Sequence, residues 1–525
     1  MKNLIFIILF LCWYPSYLFS QYTLDWVNPS GTYNKTAVIS VKDDLDNLIL
    51  TGYLPNENIY TRKYDINGTF LWEAIDSSGI QSKYQKPIWI SCDSNDNIFV
   101  VGKRYVISSI WEYPDAVVAV KYNSEGILLW KQLVPVSVLI GFPHPDFNLR
   151  SEVDDHGNLY IGTAAASPSG FVLIKIHPDG TILYVKNDVT NAPTGFRSMR
   201  LKGDKVVLTG SSGNFSNAPV TVYDTSGTLM WTALGTGQSG NDVEVDDDGN
   251  VYLITSFPNQ VSLTSGQDIV LYKFNPSGIQ LWKKVYDFGG SEFPARFILF
   301  SDKLNTIGYG TDDATGSAYF DWITFQVDIE GELNWNARYD GTLFNDEYPT
   351  FIVSGPDGKV IVTGIGGPSP DPFNLSYRQM VIIEYGISGE QRWLDTPNIY
   401  GGEGLSCLFA GDNSLYVISS HDMTAYHYTP DLVALPDIYK KDDIIRVFPN
   451  PISTTAILEF EASGEEVLSV VLFDQMGRLI KALPVSNLRS GLNQIPLDLT
   501  GLADGIYFCG IGSDKTSQVV KLVKS

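Results

Sequence analysis

The sequence predicts an all-β protein, an about eight-bladed β-propeller followed by a small immunoglobulin-like β-sandwich. Three observations predict this fold class. A unit of roughly 50 residues recurs from residue 22 to about residue 430, as in repeat architectures. Short runs rich in Val, Ile, Tyr and Thr alternate with Asp-Gly, Asp-Asn and Ser-Gly turns. The first residues supply an element that the last copy lacks. We divide the chain into a signal peptide (1–20), a propeller (21–430), a linker (431–446) and a terminal domain (447–525).

One repeated element is a glycine followed four residues later by a large aromatic residue. A four-stranded sheet cannot bury both of its faces alone, so it must pack on its neighbours, and a large ring fills the space between them. We assign this structural role to the aromatic residues that follow a glycine and to one near the start of the chain. They are Trp26, Trp72, Trp130, Tyr184, Trp231, Trp282, Trp335 and Trp393.

The other repeated element is a polar turn that leads into a β-rich strand, as from Asp46-Asn47 to Gly52 and from Asp96-Asn97 to Gly102. The sequence holds eight copies, two of them weak. Each period has room for about four strands, which make one antiparallel sheet. Radial stacking of such sheets leaves only short, protected edges, so a propeller is the architecture that this pattern predicts.

The two ends of the repeat region predict a closed ring. The last copy, around residues 407–431, has the turn and a strand through Tyr426 and Tyr428 but no glycine–aromatic strand. Residues 22–27 supply an unattached strand of that kind, with Trp26 as its aromatic residue. We therefore predict that the N-terminal strand completes the final blade beside the strand near Tyr426.

Two segments of the repeat resemble known propeller families. Residues 154–162 (Asp-Asp-His-Gly-Asn-Leu-Tyr-Ile-Gly) resemble a repeat of bacterial β-propeller proteins. Residues 223–231, which end in Trp231, are similar to the tryptophan-docking repeat of quinoprotein propellers. Both resemblances imply a fold and leave the ligand open.

The segment after the repeat has its own pattern of short alternating strands and turns, such as Ala503-Asp504-Gly505. It resembles the type A C-terminal sorting domain of the type IX secretion system. The matching positions include Pro449, Asn450, Pro451, Asp474, Gly477, Arg478, Gly505, Tyr507, Lys521 and Lys524. The resemblance implies the type IX translocon and a sortase-like peptidase as partners, and release of the cargo or its attachment to surface lipopolysaccharide. An ordinary accessory sandwich is the alternative.

Residues 1–20 predict a cleaved signal peptide, with Lys2, an apolar run over residues 4–13 and Ser20 before the expected cut. A lipid anchor at Cys12 is the alternative. No later apolar run is long enough to span a membrane, so we expect no transmembrane segment. The net charge of −23 argues against a nucleic-acid partner. The predicted location is extracellular or on the outer-membrane surface.

Signals for chemistry are weak. Cys92, Cys407 and Cys509 have neither disulfide nor zinc spacing. The acidic segments 93–97 and 246–250 are typical of hairpin turns, with calcium binding as the alternative. We expect no other cofactor and no metal site. Catalysis stays open, and the sequence favours its absence.

Irregular loops predict where a ligand binds. They interrupt the repeat and carry exposed candidates for contact with a glycan or a protein: Trp111, Phe142, His144, Phe147 and Phe373. The function that we expect is a non-catalytic binding module. The alternative is a hydrolase or lyase of extracellular polysaccharide with carboxylates at the central channel.

Overall fold

The computed structural model describes most of the chain. The described residues are 22–28, 36–54, 58–80, 83–107, 112–135, 148–166, 169–190, 193–212, 217–258, 266–312, 317–341, 346–355, 357–366, 379–397, 402–420, 422–430, 446–462, 468–474, 479–485, 491–513 and 516–524. Their regular elements are all β-strands, which confirms the predicted all-β class. The chain divides after Pro430 into two compact units. The signal peptide and most of the linker lie outside the described residues.

The unit Tyr22–Pro430 consists of eight antiparallel sheets of four strands each, which we call blades 1–8. The chain begins with β1 (Tyr22–Asn28), which belongs to blade 8. Blade 1 has β2 (Thr36–Lys42), β3 (Leu48–Tyr53), β4 (Ile59–Tyr64) and β5 (Phe70–Asp76). Blade 2 has β6 (Lys83–Cys92), β7 (Ile98–Ile107), β8 (Glu112–Tyr122) and β9 (Leu128–Pro135). Blade 3 has β10 (Arg150–Val153), β11 (Leu159–Ala166), β12 (Ser169–Ile176) and β13 (Ile182–Asp188). Blade 4 has β14 (Pro193–Lys202), β15 (Lys205–Ser212), β16 (Asn217–Asp224) and β17 (Leu229–Thr236).

The second half of the unit repeats this arrangement. Blade 5 has β18 (Gly240–Val245), β19 (Val251–Pro258), β20 (Gln267–Phe274) and β21 (Gln280–Tyr286). Blade 6 has β22 (Glu292–Phe300), β23 (Lys303–Asp312), β24 (Ser317–Asp328) and β25 (Leu333–Tyr339). Blade 7 has β26 (Tyr348–Ser354), β27 (Val360–Gly366), β28 (Gln379–Tyr385) and β29 (Gln391–Asp395). Blade 8 has β30 (Gly404–Phe409), β31 (Leu415–Ser419), β32 (Ala425–Pro430) and β1.

The middle strands of each blade are buried on both faces, as their continuous apolar runs predict. Aspartate side chains stabilise the connecting turns. The Asp154 carboxylate accepts hydrogen bonds from the backbone N–H groups of His156 and Asn158, at 3.0 and 2.8 Å. The Asn158 side-chain amide donates to the same carboxylate. These bonds satisfy turn N–H groups that strand pairing leaves free.

Apolar clusters between neighbouring blades form the core. Each of eight clusters draws its residues chiefly from two adjacent blades. One joins blade 8 to blade 1 through Tyr416, Met423 and Leu48. The first strands lie innermost and contact the first strands of both neighbours, including β30 with β2. The eight sheets therefore form a closed ring.

The N-terminal strand completes this ring. β1 pairs antiparallel with β32, from Tyr22 opposite Pro430 to Asn28 opposite Ala425. A bulge at Asp25 brings its carboxylate 3.0 Å from Nδ1 of His427, whose Nε2 lies 2.8 Å from the Ser414 hydroxyl. The Trp26 ring stacks on the imidazole. These contacts fix the first strand of the propeller on its last blade.

The two faces of the propeller differ. Tight turns join the first strand to the second and the third to the fourth, and we call their side the turn face. The connections between the second and third strands and between blades lie on the opposite side, the loop face. Several of these connections include residues outside the described ranges. The innermost strands run from the loop face to the turn face.

The C-terminal unit is a two-sheet sandwich. One sheet has the order β33 (Arg446–Phe448), β34 (Thr455–Ala462), β37 (Gly491–Asp498). The other has the order β36 (Leu479–Val485), β35 (Leu468–Asp474), β38 (Gly505–Ser513), β39 (Thr516–Lys524). Its core includes Ile452, Leu458, Phe460 and Leu522. This is the immunoglobulin-like arrangement that the sequence predicts.

Candidate functional site

Equivalent positions on the innermost strands converge on the axis of the ring. In seven blades the register of the first strand shifts at a bulge, as between Pro294 and Arg296. The residues directly after these shifts, together with the equivalent residue of blade 3, form a set that we call the axial ring. It consists of Ile39, Trp89, Arg150, Ser198, Asp242, Arg296, Phe351 and Ser406.

Side chains of the axial ring meet across the central channel. Arg150 Nη1 lies 2.8 Å from Ser198 Oγ and 3.1 Å from Asp242 Oδ1, and Ser198 also donates a hydrogen bond to Asp242. The Arg296 guanidinium carbon lies 5.6 Å from the centre of the Trp89 ring and 4.5 Å from that of Phe351. Blades 2 and 6 are opposite in a ring of eight, so the contact between Trp89 and Arg296 obstructs the channel at this level.

The charges of the axial ring are unequal. Burial opposes ionisation of Asp242, but the guanidiniums of Arg150, Arg200 and Arg296 hold its pKa below the usual range. Burial and the charge of Arg150 lower the pKa of Arg296 to about 9. Among the described residues, Arg296 contacts aromatic faces and has no ion-pair partner. The axial ring therefore carries one guanidinium without a carboxylate.

A second charged level lies two residues further along the same strands. Arg200 is between two glutamates, with Nη1 3.5 Å from Glu152 Oε1 and Nη2 2.8 Å from Glu244 Oε1. Burial raises the pKa of both glutamates despite this arginine. Glu152 also accepts the backbone N–H of Leu201 at 2.7 Å. These contacts link the innermost strands of blades 3, 4 and 5.

Two groups of aromatic side chains lie at the loop-face ends of the strands. In the first, Lys86 Nζ lies 5.2, 5.1 and 6.0 Å from the ring centres of Tyr53, Tyr84 and Tyr105. We call these four residues the Lys86 group. The second, the blade 6–7 aromatic group, consists of Phe293, Tyr309, Phe320 and Tyr348, with contacting ring centres 4.9–6.0 Å apart. Its four side chains are all partly exposed.

The loop residues that the sequence proposes for ligand binding lie outside the described residues. They are Trp111, Phe142, His144, Phe147 and Phe373. In the sequence, all five fall in segments that connect strands at the loop face. Their role stays a prediction. The Lys86 group and the blade 6–7 aromatic group are described aromatic surfaces on the same face, and the sequence analysis missed them.

The repeat aromatics lie between blades, on the glycine of the next turn. A methyl group built on any of seven glycines would lie 2.5–3.3 Å from an aromatic ring carbon of the preceding blade. Five indole N–H groups, of Trp26, Trp72, Trp130, Trp231 and Trp282, donate at 2.8–3.2 Å to the carbonyl two residues before that glycine. Tyr184 donates through its hydroxyl to the equivalent Thr225 carbonyl. The indole N–H of Trp335 is buried, and no described residue accepts a hydrogen bond from it.

Trp393 lies between blades 7 and 8. This seam, as we call the packed junction between two neighbouring blades, differs from the other seven. Blade 8 has no turn between its third and fourth strands, because these are the two ends of the propeller chain, β32 and β1. The Trp393 ring contacts Tyr22 and Tyr428 instead, with centres 5.1 and 5.3 Å apart. A groove of about 640 Å³ opens there, lined by Leu24 and Asp395 among others. It lies where the missing turn would have packed.

The acidic segments and the cysteines that the sequence analysis considered lie among the described residues. Segments 93–97 and 246–250 form hairpin turns in which Asp93 and Asp246 accept backbone N–H groups. Calcium binding by these turns stays a prediction. Cys92, Cys407 and Cys509 are free thiols, and burial raises the pKa of each to about 12.

The residues of the sorting pattern are spread over the C-terminal sandwich. The Asn450 amide bridges to the last strand, donating to the Lys521 carbonyl and accepting the Val523 N–H, both at 2.8 Å. Tyr507 donates to the Ala503 carbonyl, and Lys524 Nζ lies 3.5 Å from Asp504 Oδ1. Pro449 and Pro451 flank Asn450, Asp474 ends β35 and Gly505 begins β38. Gly477 and Arg478 lie outside the described residues.

Comparisons with known proteins identify the C-terminal unit. Residues 446–525 match the family model of the secretion system C-terminal sorting domain. No curated protein matches the chain. Among solved structures, the Dos1 propeller covers 78% of this chain and 95% of its own, at 10% identity and a TM-score of 0.47. PorZ of Porphyromonas gingivalis, a surface component of the type IX secretion system, covers 96% and 93% at 10% identity, with a TM-score of 0.23.

A third similar structure is Drosophila Semaphorin 1b, with 9% identity, 78% and 88% coverage and a TM-score of 0.37. These structures are too distantly similar to add evidence for the fold, which is assigned from the eight sheets. Nor do the described residues include a helix that is long and apolar enough to cross a membrane. The match at the C-terminus places the chain among exported proteins. The protein is thus a secreted, cell-surface β-propeller whose residues 446–525 are a C-terminal sorting domain of the type IX secretion system.

Proposed function

We propose that the propeller is a non-catalytic module that binds an extracellular glycan at its loop face. The observation that carries this proposal is the pair of aromatic groups at that face. The first group lies chiefly on blade 2 and the second chiefly on blade 6. These blades are opposite in a ring of eight, so the two groups flank the channel opening. Partly exposed aromatic rings beside a few polar groups are typical of ligand sites.

The blade 6–7 aromatic group is the stronger part of the surface. Three of its rings come from the strands β22, β23 and β24 of blade 6, and the fourth comes from the start of β26 in blade 7. The sheets of the two blades hold these rings in place. Phe293 and Tyr348 are near the starts of the innermost strands β22 and β26. The flat apolar faces of sugar rings suit such a platform. A protein ligand is the other outcome of the test below.

Glycan binding by the secreted protein tests the proposal. We expect Tyr348→Ala and Phe293→Ala to weaken binding to the preferred surface polysaccharide by about tenfold or more. Phe300→Ala is the matched control, because Phe300 ends the same strand as Phe293 at the turn face. Binding that both loop-face variants leave unchanged, or binding to proteins only, would contradict the proposal.

A second candidate is a hydrolase or lyase of extracellular polysaccharide with its site in the channel. The observation that favours it is the presence of three carboxylates there, on Glu152, Asp242 and Glu244. Each of them pairs with an arginine, which favours a structural role. New reducing ends or unsaturated products after incubation with the polysaccharide, lost in Asp242→Asn, would support the enzyme instead of the binding module.

We further propose how the sorting domain acts. The resemblance implies that the type IX translocon exports the chain and that a sortase-like peptidase then removes the domain. The cargo is released or attached to lipopolysaccharide. Mass spectrometry of the exported protein tests this, since we expect peptides from residues 447–525 to be absent. Their presence in the surface-exposed protein would contradict removal.

A further inference from the structure

Two groups of three carboxylates occupy equivalent places at successive blade junctions. Each combines an aspartate of a third strand, an aspartate directly after a fourth strand and a glutamate where the next blade starts. The blade 5–6 acidic group is Asp268, Asp287 and Glu292, and the blade 6–7 acidic group is Asp321, Asp340 and Glu347. In each group one carboxylate oxygen per residue lies within 4.8 Å of the others.

The two groups differ in whether the fourth strand of their own blade supplies a cation. In the blade 6–7 group, Arg338 Nη1 donates to Asp321 Oδ2 at 2.8 Å. Arg338 is the third residue after Trp335 in β25. The third residue after Trp282 in β21 is Val285, which is exposed. The strand β21 therefore supplies no charge at the place where β25 supplies Arg338.

Glu292 is the most deeply buried member of the blade 5–6 acidic group. Its side chain is 0% exposed, and neither carboxylate oxygen has a hydrogen-bond partner of normal geometry among the described residues. The Phe288 N–H approaches the carboxylate, and Arg338 lies near but pairs with Asp321. Burial and the charges of Asp287 and Asp268 raise the Glu292 pKa to about 8. A buried, unpaired carboxylate is unfavourable unless it binds a proton or a cation.

The geometry suits an oxygen-preferring divalent ion. Calcium binds carboxylate oxygens at about 2.3–2.6 Å in flexible arrangements, so two oxygens on opposite sides of one ion are about 4.8 Å apart. We propose that Asp268, Asp287 and Glu292 bind a calcium ion at the junction of blades 5 and 6. The ion ties the connection after β21 and the start of β22 to β20, and so joins the two blades.

Calcium titration of the exported protein, after treatment with a chelator, tests this site. We expect one bound ion with a Kd of about 10⁻⁴–10⁻³ M, the range of extracellular modules. At a tenfold excess of calcium over Kd the melting temperature should rise by about 2 °C. Glu292→Gln should weaken binding at least about tenfold. Asp287→Asn, at an exposed position, should do the same without disturbing the fold.

Glu347→Gln is the matched control, because Glu347 occupies the equivalent place in the group that contains the Arg338–Asp321 ion pair. We expect it to retain calcium binding with the same affinity. Loss of binding in this variant would move the ion to the other junction and overturn the assignment. An equal response to magnesium would indicate charge screening without a site. No calcium response, together with a calcium-independent rise in melting temperature in Glu292→Gln, would show a protonated carboxyl instead.

Discussion

Seven seams between blades follow one rule, and the seam between blades 7 and 8 follows another. At the seven regular seams, an aromatic ring of one blade covers a glycine in a turn of the next. At the remaining seam, blade 8 has no such turn, since its outer strands are the two ends of the propeller chain. Trp393 contacts the rings of Tyr22 and Tyr428 there. The difference teaches that the repeat encodes a contact between a ring and a turn, and that the chain ends must replace it.

Loss of the closing strand should have the largest effect. Deleting residues 22–28 removes the pairing with β32 and the buried ring of Tyr22, and exposes a sheet edge. We expect a loss of stability on the order of 5 kcal/mol, or about 6 °C in melting temperature for a unit of this size. Thermal unfolding measures it, and an added peptide of the same sequence should restore part of the loss. An unchanged melting curve would mean that the strand does not close the ring.

Removal of a ring at a regular seam comes next. Trp231→Ala deletes the ring that covers Gly278 and donates to the Pro276 carbonyl. The side chain is partly exposed, so we expect a cost of about 3 kcal/mol, at the lower end for a tryptophan. Chemical denaturation measures this cost. A cost below about 1 kcal/mol would contradict a structural role for the repeat aromatic.

A methyl group on the glycine tests the other side of the same seam. Gly278 has a φ of +82°, and a Cβ there would lie 2.7 Å from the Trp231 ring. We expect Gly278→Ala to cost about 2–3 kcal/mol, from left-handed strain plus overpacking. Gly203 has a φ of +57° and open space around it, so Gly203→Ala should show the strain alone, about 1 kcal/mol. Equal costs for the two variants would refute the close approach of ring and turn.

The smallest expected effect separates the two kinds of seam. Trp231→Phe keeps a ring but loses the N–H bond to Pro276, at a cost of about 1 kcal/mol. Trp393 makes ring contacts without a matching indole bond among the described residues. Trp393→Phe should therefore change stability by less than about 0.5 kcal/mol. Denaturant midpoints compare the two variants, and the reverse order would contradict this distinction.

Much of the fold was predictable because the same residue types recur in each copy of the repeat. Glycine and tryptophan return at fixed spacing, since the ring and the turn need them in every blade. The missing aromatic strand of the last copy likewise predicts the place of β1, which the structure has beside β32.

The candidate sites were not predictable in the same way. The axial ring has one structural position but different residue types, from Trp89 to Asp242, so no recurring letter marks it. Its position depends on a bulge, which shifts the register without a sequence signature. In the blade 5–6 acidic group, Asp268 and Glu292 are far apart in the sequence, and only the packing of two blades brings their carboxylates together. The loop candidates, such as Trp111, are outside the described residues.

Covalent capture of the closing strand tests the ring most directly. Thr23 and Thr429 stand opposite each other in the pairing of β1 with β32. We expect the double variant Thr23→Cys/Thr429→Cys to form an intramolecular disulfide on oxidation, which peptide mapping detects. Thr23→Cys/Tyr428→Cys is the control, because neighbouring residues of a strand point to opposite faces. A link in the control pair, a link only between molecules, or no link in either would contradict a ring closed by its own first strand.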